Sequence, residues 1–286
     1  MPFTTLISAA ELRQHLNDPT FLIFDCRGDL SDPKAGAAAF ASGHIAGAQY
    51  ANLDMDLSDK TAGPNGEFRG RHPLPTAAQF IETLRRWGVQ PDSQVVVYDA
   101  HGGMFASRLW WMLRWIGHAQ VALLDGGLPA WLAEGGTITT TTVSRPHGSI
   151  SLKPSLTPVV SVDEVVANLG SAKRLVIDAR AADRFRGENE TIDPVAGHIP
   201  GAKNRFFKDN LQASGLYKPA EQLRQEFQAL IDSPEATIMQ CGSGASACQN
   251  LLAMEIAGLS GAALYPGSWS EWSADPDRPV ATGSER

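Results

Sequence analysis

A cysteine that opens a glycine-rich loop is the residue whose surroundings most clearly indicate chemistry. Cys241 follows the apolar run 237–240, and a helical pattern begins at about residue 247. Glycines let the backbone curl with its N–H groups inward, which forms a cup for anions. The helix adds unpaired N–H groups and the positive end of its dipole. Because such surroundings favour a thiolate, we predict that Cys241 is a nucleophile. The loop residues expected to line the substrate site are Gly242, Gly244, Ala245 and Ser246.

The elements that position this loop occur twice along the chain. Residues 22–27 and 175–180 are apolar runs ending in Asp-x-Arg, and each is followed by a Gly-His-Ile-x-Gly-Ala segment that begins at Gly43 or Gly197. This recurrence in the same order predicts a duplicated domain. Because the half without a loop cysteine also carries Asp-x-Arg, we expect this motif to brace the fold.

Strand-like apolar runs alternate with helical patterns in each half. Helices are predicted over residues 78–87, 107–116, 220–231 and 247–257. This alternation predicts an α/β fold of two tandem domains, each a mainly parallel sheet flanked by helices on both faces.

The domain boundaries are predicted from size and composition. Two domains of about 140 residues fit ordinary domain sizes, and the stretch between the halves is rich in Thr, Ser and Pro. We predict a first domain over residues 1–145, a linker over 146–157 and a second domain over 158–286. Asp99 stands in the first half where Cys241 stands in the second. A carboxylate cannot carry sulfur, so the first domain is expected to be non-catalytic.

Composition excludes some partners and indicates a compartment. The chain has 286 residues and a formal net charge of −7, and no basic run is present, so we expect no nucleic-acid partner. No long apolar stretch predicts a membrane span or a secretory signal. The odd count of 3 cysteines indicates at least one thiol and a reducing cytoplasm. His and Cys lack metal-ligand spacings, so we expect no metal and no cofactor, and we expect a monomer.

The paired Asp-x-Arg motifs, the Gly-His-Ile-x-Gly-Ala segments and the cysteine loop resemble the rhodanese family over nearly the whole chain. The resemblance implies a sulfurtransferase. In such enzymes the cysteine, here Cys241, takes a sulfane sulfur from a donor and becomes a persulfide. The sulfur then passes to an acceptor such as cyanide, a small thiol or thioredoxin.

Loop composition distinguishes the donors used within this family. Members that prefer thiosulfate typically carry Arg and Lys directly after the cysteine, whereas this chain has Gly242 and Ser243 there. Cys-Gly-Ser-Gly resembles the 3-mercaptopyruvate sulfurtransferases. Two missing cations should weaken binding of a dianion more than binding of a monocarboxylate. We therefore predict 3-mercaptopyruvate as the donor and pyruvate as the product, with thiosulfate as the alternative.

The resemblance also implies an arginine that binds the donor's carboxylate and carbonyl. Arg184 matches that position, and Arg186 is a second candidate. The family often has another arginine shortly before the Gly-His-Ile segment. This chain has Glu190–Val195 there and no arginine among them, so the resemblance supplies one matched arginine for the clamp.

A serine–histidine–aspartate relay has been assigned to the family, and the resemblance places it on this chain. Ser243 matches the serine, His72 the histidine, and Asp56 or Asp54 the aspartate. Such a relay would manage protons during C–S cleavage, with the histidine reaching across from the first domain. The alternative is that His72 only packs in its proline-rich loop.

Two other classes of function compete with this interpretation. Cysteine phosphatases use a similar loop but end it with an arginine that grips phosphate, where this chain has Ala247. A persulfide carrier or protein-binding module without turnover on a small donor stays open. Cys248 could add redox control if it were exposed, although burial in the core is the more ordinary role for a cysteine there.

Overall fold

The computed structural model describes residues 1–171 and 173–284 and divides into two compact units. Each unit collects segments that are distant in sequence. The first unit contains Met1–Asp59, Pro75–Leu156 and Leu211–Tyr217, and the second contains Lys60–Leu74, Thr157–Asn210 and the residues from Lys218 onward.

A parallel sheet forms the centre of the first unit. In the described residues this sheet has five strands in the order β1-β6-β5-β2-β4, all paired in parallel, and β3 pairs with β7 antiparallel. The strands are β1 Leu6–Ile7, β2 Phe21–Asp25, β3 His44–Ile45, β4 Ala48–Tyr50, β5 Gln94–Tyr98, β6 Val121–Leu124 and β7 Ile138–Thr139. The helices are α1 Ala9–Gln14, α2 Ala35–Ser42, α3 Ala77–Arg86, α4 Ala106–Trp115 and α5 Gly127–Ala133.

A parallel sheet also forms the centre of the second unit. Within the described part of the chain its sheet runs β11-β10-β8-β9, again all parallel. The strands are β8 Leu175–Asp178, β9 Lys203–Asn204, β10 Thr237–Gln240 and β11 Ala263–Leu264. The helices are α6 Val162–Leu169, α7 Ala182–Arg186, α8 Ala220–Gln228, α9 Ala247–Ile256 and α10 Ser268–Trp272, with a 3-10 helix over Phe207–Asn210.

The predicted α/β duplication is confirmed by these two sheets. Strands β5 and β10 occupy the same place in the strand order, and both are buried along their whole length, as apolar strands of parallel sheets are. The predicted helices are confirmed as α3, α4, α8 and α9, with ends that differ by at most three residues.

The Asp-x-Arg motif ties a central strand to the segment that follows it in each unit. Arg27 forms an ion pair with Asp25 at the end of β2 and donates to the carbonyl of Gly43 at 2.6 Å. Arg180 forms the matching pair with Asp178 and donates to the carbonyl of Gly197 at 2.7 Å. Each arginine therefore braces the turn that begins Gly-His-Ile.

Several helices begin where a side chain satisfies their first unpaired N–H groups. Ser8, Thr76 and Ser161 precede α1, α3 and α6, and each hydroxyl accepts the N–H three residues later. The residue at that later position returns a side-chain acceptor to the cap's own N–H, which completes a capping box.

The packing of Lys60–Leu74 differs from the predicted boundaries. Residues 1–145 are predicted as one domain, whereas this segment packs with the second unit. Arg71 forms an ion pair with Asp193, and its N–H donates to Ser270 Oγ at 3.1 Å. These polar contacts hold the segment against the second unit.

None of the helices in residues 1–171 and 173–284 combines the length and the hydrophobicity that a membrane-spanning helix requires.

Glu226 on α8 provides a test of charge pairing in the second unit. Its carboxylate accepts from Lys218 Nζ, Arg205 Nη2 and Gln222 Nε2. Burial opposes ionisation, but these hydrogen bonds prevail and lower the pKa of Glu226 to about 2. We expect Glu226→Gln to lower the free energy of unfolding by about 1–2 kcal/mol near neutral pH. The carboxylate stabilises the fold above its ordinary pKa of 4.5 and loses this effect as pH falls toward 2.

The measurement is denaturant unfolding of both proteins near neutral pH and again at about pH 3, where the difference should shrink by more than half. Glu221→Gln on the same helix is the control, because Glu221 is exposed and pairs with Arg224 only at 3.7 Å. A difference between Glu226→Gln and the parent protein that does not change with pH would contradict the assignment.

Candidate active site

The cysteine loop follows β10 at the carboxyl end of that strand, as predicted. Cys241 is the first residue after Gln240, and α9 begins at Ala247. The N–H of Gly244 donates to Cys241 Sγ at 3.1 Å, so a loop amide faces the sulfur. This contact stabilises negative charge on the sulfur, because a charged acceptor strengthens a hydrogen bond. Cys241 itself is 1% exposed.

A turn at the start of α10 fixes the backbone of the cysteine. Ser268 Oγ accepts the N–H of Cys241 at 3.1 Å, and the carbonyl of Cys241 accepts from the N–H of Trp269 at 3.0 Å. Ser268 has φ of +54°, a left-handed conformation that costs free energy for a residue with a side chain. Its hydroxyl also donates to the carbonyl of Tyr265 at 2.9 Å. The strained serine thus holds the main chain of Cys241 in place.

His72 and Ser243 are brought together inside the second unit. His72 Nδ1 and Ser243 Oγ are hydrogen-bonded at 2.7 Å, and both residues are buried. Because Lys60–Leu74 packs with the second unit, this pairing takes place within it. The contact gives Ser243 a partner that can give or take a proton.

Arg184 lies beside the loop in a network of charges. Its guanidinium donates to Glu190 at 2.8 Å and to Asp193 Oδ2 at 3.3 Å. A Cβ on Gly242 would lie 3.7 Å from Arg184 Nη2, which measures how near the guanidinium is to the loop. Asp193 pairs with Arg71 as well, so it joins two arginines.

The pKa values of the two acidic members are shifted in opposite directions, although burial acts to raise both. Burial raises the pKa of Asp193, although Arg71 and Arg184 act against it. For Glu190 burial also opposes ionisation, but the hydrogen bond from Arg184 and two backbone N–H groups prevail and lower its pKa. Asp193 is therefore the acid of this network that holds its charge less firmly.

The other loop residues predicted to line the substrate site take part in main-chain hydrogen bonds, and their substrate role stays a prediction. The carbonyl of Gly242 accepts from Ser270 N at 2.9 Å. Ala245 and Ser246 form the start of the first turn of α9, and their carbonyls accept from Cys248 and Gln249. Cys248 is fully buried, and its Sγ lies 3.3 Å from the carbonyl of Gly244.

Arg186 and Asp56 are predicted for the site, but their hydrogen bonds go to partners outside it. Within the described part of the chain, the Arg186 guanidinium hydrogen-bonds to the exposed Glu188 and to no other side chain. Asp56 lies in the first unit, where its carboxylate accepts the N–H of Asn52 at 2.9 Å and burial raises its pKa. A relay role for Asp56 stays a prediction.

The matching loop of the first unit shows what such a loop binds. Asp99 follows β5 and is buried, and its carboxylate accepts four backbone N–H groups at 2.8 to 3.0 Å. The donors are His101, Gly103, Phe105 and Ala106. The loop of the first unit is therefore an anion site, and the chain supplies the anion itself.

Arg71 and Asp193 are site residues that the sequence reasoning missed. Arg71 directly precedes His72, so a basic residue next to a candidate relay histidine was a usable signal. Asp193 lies in Glu190–Val195, a segment in which the family resemblance draws attention to a missing arginine and not to an acid. Among the described residues, no cluster of His, Cys, Asp or Glu is arranged to hold a metal ion.

Comparison with known proteins agrees with this geometry. The family described as Rhodanese-like domain matches residues 8–134 and again residues 161–275. A probable 3-mercaptopyruvate sulfurtransferase from Pseudomonas aeruginosa is 46% identical over 99% of this chain and 100% of its own length. A putative thiosulfate sulfurtransferase from Mycobacterium tuberculosis is 40% identical over 98% of this chain and 97% of its own length.

Solved structures give the same result. The 3-mercaptopyruvate sulfurtransferase SseA from Escherichia coli aligns with a TM-score of 0.81 and 32% identity, covering 93% of this chain and 99% of its own. The 3-mercaptopyruvate sulfurtransferase from Leishmania major aligns with a TM-score of 0.83 and 30% identity, covering 96% of this chain and 75% of its own. The relatives differ in the donor that their names carry.

Gly244 tests whether the loop amide holds charge on the sulfur. Its φ is +76°, and a Cβ there would lie 2.3 Å from the carbonyl oxygen of Pro266. We expect Gly244→Ala to displace the amide and to lower the thiolate absorbance at neutral pH, measured against a Cys241→Ser reference. Gly283→Ala is the control, since Gly283 has φ of +81° and its Cβ would meet no atom within 4 Å. Equal absorbance in Gly244→Ala and the parent protein would contradict the role of the amide.

Proposed function

The chain belongs to the rhodanese-like family and is a sulfurtransferase, and on that basis we propose that Cys241 carries sulfur taken from 3-mercaptopyruvate. The donor's carboxylate and carbonyl bind at Arg184, and the thiolate of Cys241 attacks the donor's sulfur. The C–S bond breaks and its electron pair stays with carbon as the enolate of pyruvate. The enolate takes a proton, and Cys241 is left as a persulfide.

The hydrogen bond between Ser243 and His72 supports this donor over thiosulfate. Cleavage of 3-mercaptopyruvate must move a proton from the thiol to the carbon that becomes a methyl group. Ser243 and His72 can take and return that proton, since they are hydrogen-bonded at 2.7 Å and Ser243 lies two residues after Cys241. Thiosulfate needs no such step, because sulfite leaves without a proton.

The persulfide is favoured by the same loop that favours the thiolate. Its outer sulfur carries negative charge, and the N–H of Gly244 and the first turn of α9 are donors that the loop presents. A nucleophilic acceptor then removes that sulfur and restores the thiolate of Cys241. We propose cyanide, a small thiol or thioredoxin as acceptors, with the protein acting as a monomer in the cytoplasm.

Thiosulfate is the second candidate donor, and the position of Arg71 favours it. The loop itself lacks the cations typical of thiosulfate-preferring relatives, yet Arg71 brings a guanidinium to Gly242. The non-enzymatic alternative is a persulfide carrier that receives sulfur only from a protein partner.

Mass spectrometry after mixing with 3-mercaptopyruvate tests the proposal. We expect one added sulfur atom on Cys241, stoichiometric release of pyruvate, and a higher kcat/KM than with thiosulfate. Cys241→Ser should abolish transfer, whereas Cys248→Ser should retain most of it because Cys248 is buried in α9. A preference for thiosulfate would contradict the donor, and sulfur found on Cys248 would contradict the nucleophile. A protein that accepts sulfur from neither small donor would be a carrier.

Removing the histidine tests the proton relay. We expect His72→Asn to lower kcat with 3-mercaptopyruvate by about 100-fold, the range of a lost general acid–base group. Turnover of thiosulfate should change much less, because that reaction needs no proton transfer to carbon. His147→Asn is the control, since His147 is exposed and pairs with Glu82 in the first unit. An equal loss with both donors would mean that His72 only supports the loop.

A further inference from the structure

Arg71 brings a positive charge to the place where the loop has none. A Cβ on Gly242 would lie 2.9 Å from Arg71 Nη2, nearer than the 3.7 Å to Arg184 Nη2. The guanidinium of Arg71 therefore fills the space that a side chain on Gly242 would enter. Arg71, from a distant segment of the chain, thus supplies the positive charge that the position directly after Cys241 lacks.

The backbone of Arg71 is fixed to the turn that also fixes the loop. Its N–H donates to Ser270 Oγ at 3.1 Å, and the N–H of Ser270 donates to the carbonyl of Gly242 at 2.9 Å. One serine thus connects the main chains of Arg71 and Gly242. The ion pair with Asp193 then places the guanidinium.

Asp193 joins the two arginines. Its carboxylate pairs with Arg71 through Oδ1 and with Arg184 through Oδ2, and its side chain is 2% exposed. Oδ2 lies 3.8 Å from the Cβ position on Gly242, so the carboxylate lies near the same point of the loop as both guanidiniums. A donor's carboxylate that binds these arginines must share them with Asp193.

The network as a whole carries no net formal charge. Three guanidiniums alternate with three carboxylates through ion pairs of side chains that are at most one-quarter exposed. The members are Arg71, Arg180 and Arg184 with Asp178, Glu190 and Asp193. A monoanion adds one negative charge to this neutral balance, whereas a dianion adds two.

We propose that Arg71 and Asp193 together select the donor by charge: Arg71 is the second cation that binds the donor with Arg184, and Asp193 disfavours dianions. This inference rests on the proposed sulfur transfer at Cys241. A carboxylate donor gains two guanidiniums and meets one competing carboxylate. Thiosulfate meets the same competitor with twice the charge. In a partly buried site one unit charge changes anion binding by about tenfold.

The experiment compares kcat/KM for thiosulfate with kcat/KM for 3-mercaptopyruvate, expressed as a ratio. We expect Asp193→Asn to raise this ratio about tenfold and Arg71→Met to lower it about tenfold. The double variant restores a neutral network, so its ratio should return close to that of the parent protein. With 3-mercaptopyruvate, Arg71→Met should act mainly on KM, because the carboxylate is bound equally before and during the reaction.

Matched controls change the same charges at exposed positions. Lys208→Met and Asp232→Asn lie in the second unit at exposed positions and should leave the ratio unchanged. Damage to the loop alone would lower kcat/KM for both donors and leave the ratio as it was, which would overturn the inference.

A second measurement does not depend on turnover. In a Cys241→Ser background, dissociation constants for pyruvate and sulfate give the same comparison of a monocarboxylate with a dianion. Asp193→Asn should strengthen sulfate binding more than pyruvate binding. Arg71→Met should weaken sulfate binding more than pyruvate binding. Unchanged relative affinities would overturn the charge selection by Arg71 and Asp193. A parent enzyme that prefers thiosulfate would instead overturn the proposed donor while leaving these shifts measurable.

Discussion

Backbone N–H groups that converge after a central parallel strand are the feature on which both units depend. Such amides are costly to bury without an acceptor, so each loop needs a negative group at its centre. In the first unit four amides bind the carboxylate of Asp99, and in the second the amide of Gly244 faces the sulfur of Cys241. The glycines, the helix that follows and the serine at position 268 all serve this geometry.

Around the sulfur of Cys241 the second unit places uncharged and charged donors separately. The loop offers uncharged donors to the sulfur, and the arginines next to it are matched by acids. This division suits a reaction in which charge moves from the attacking sulfur to the leaving carbon. Fixed amides can stabilise the sulfur throughout, while the arginines hold the part of the donor that does not react.

The sequence allowed a correct prediction of the elements whose signals are local. The strand, the glycine loop and the helix around Cys241 follow from neighbouring residues, and the duplication follows from repeated motifs. The contact of Arg71 with Gly242 could not be predicted in this way, because it depends on how a segment without regular structure packs. Arg186 does not join the group, because the neighbouring acid Glu188 pairs with its guanidinium.

Asp99 also bears on how one of two duplicated domains can lack the loop cysteine and still fold. A thiol at that position would be one more reactive group, whereas a carboxylate keeps the amides paired at all times. The anion of the first copy is thus a fixed carboxylate, whereas that of the second is a sulfur that the proposed reaction loads and unloads. A carboxylate of the chain itself keeps the first loop independent of any sulfur donor, whereas the proposed sulfur transfer replaces the anion at the second loop in every cycle.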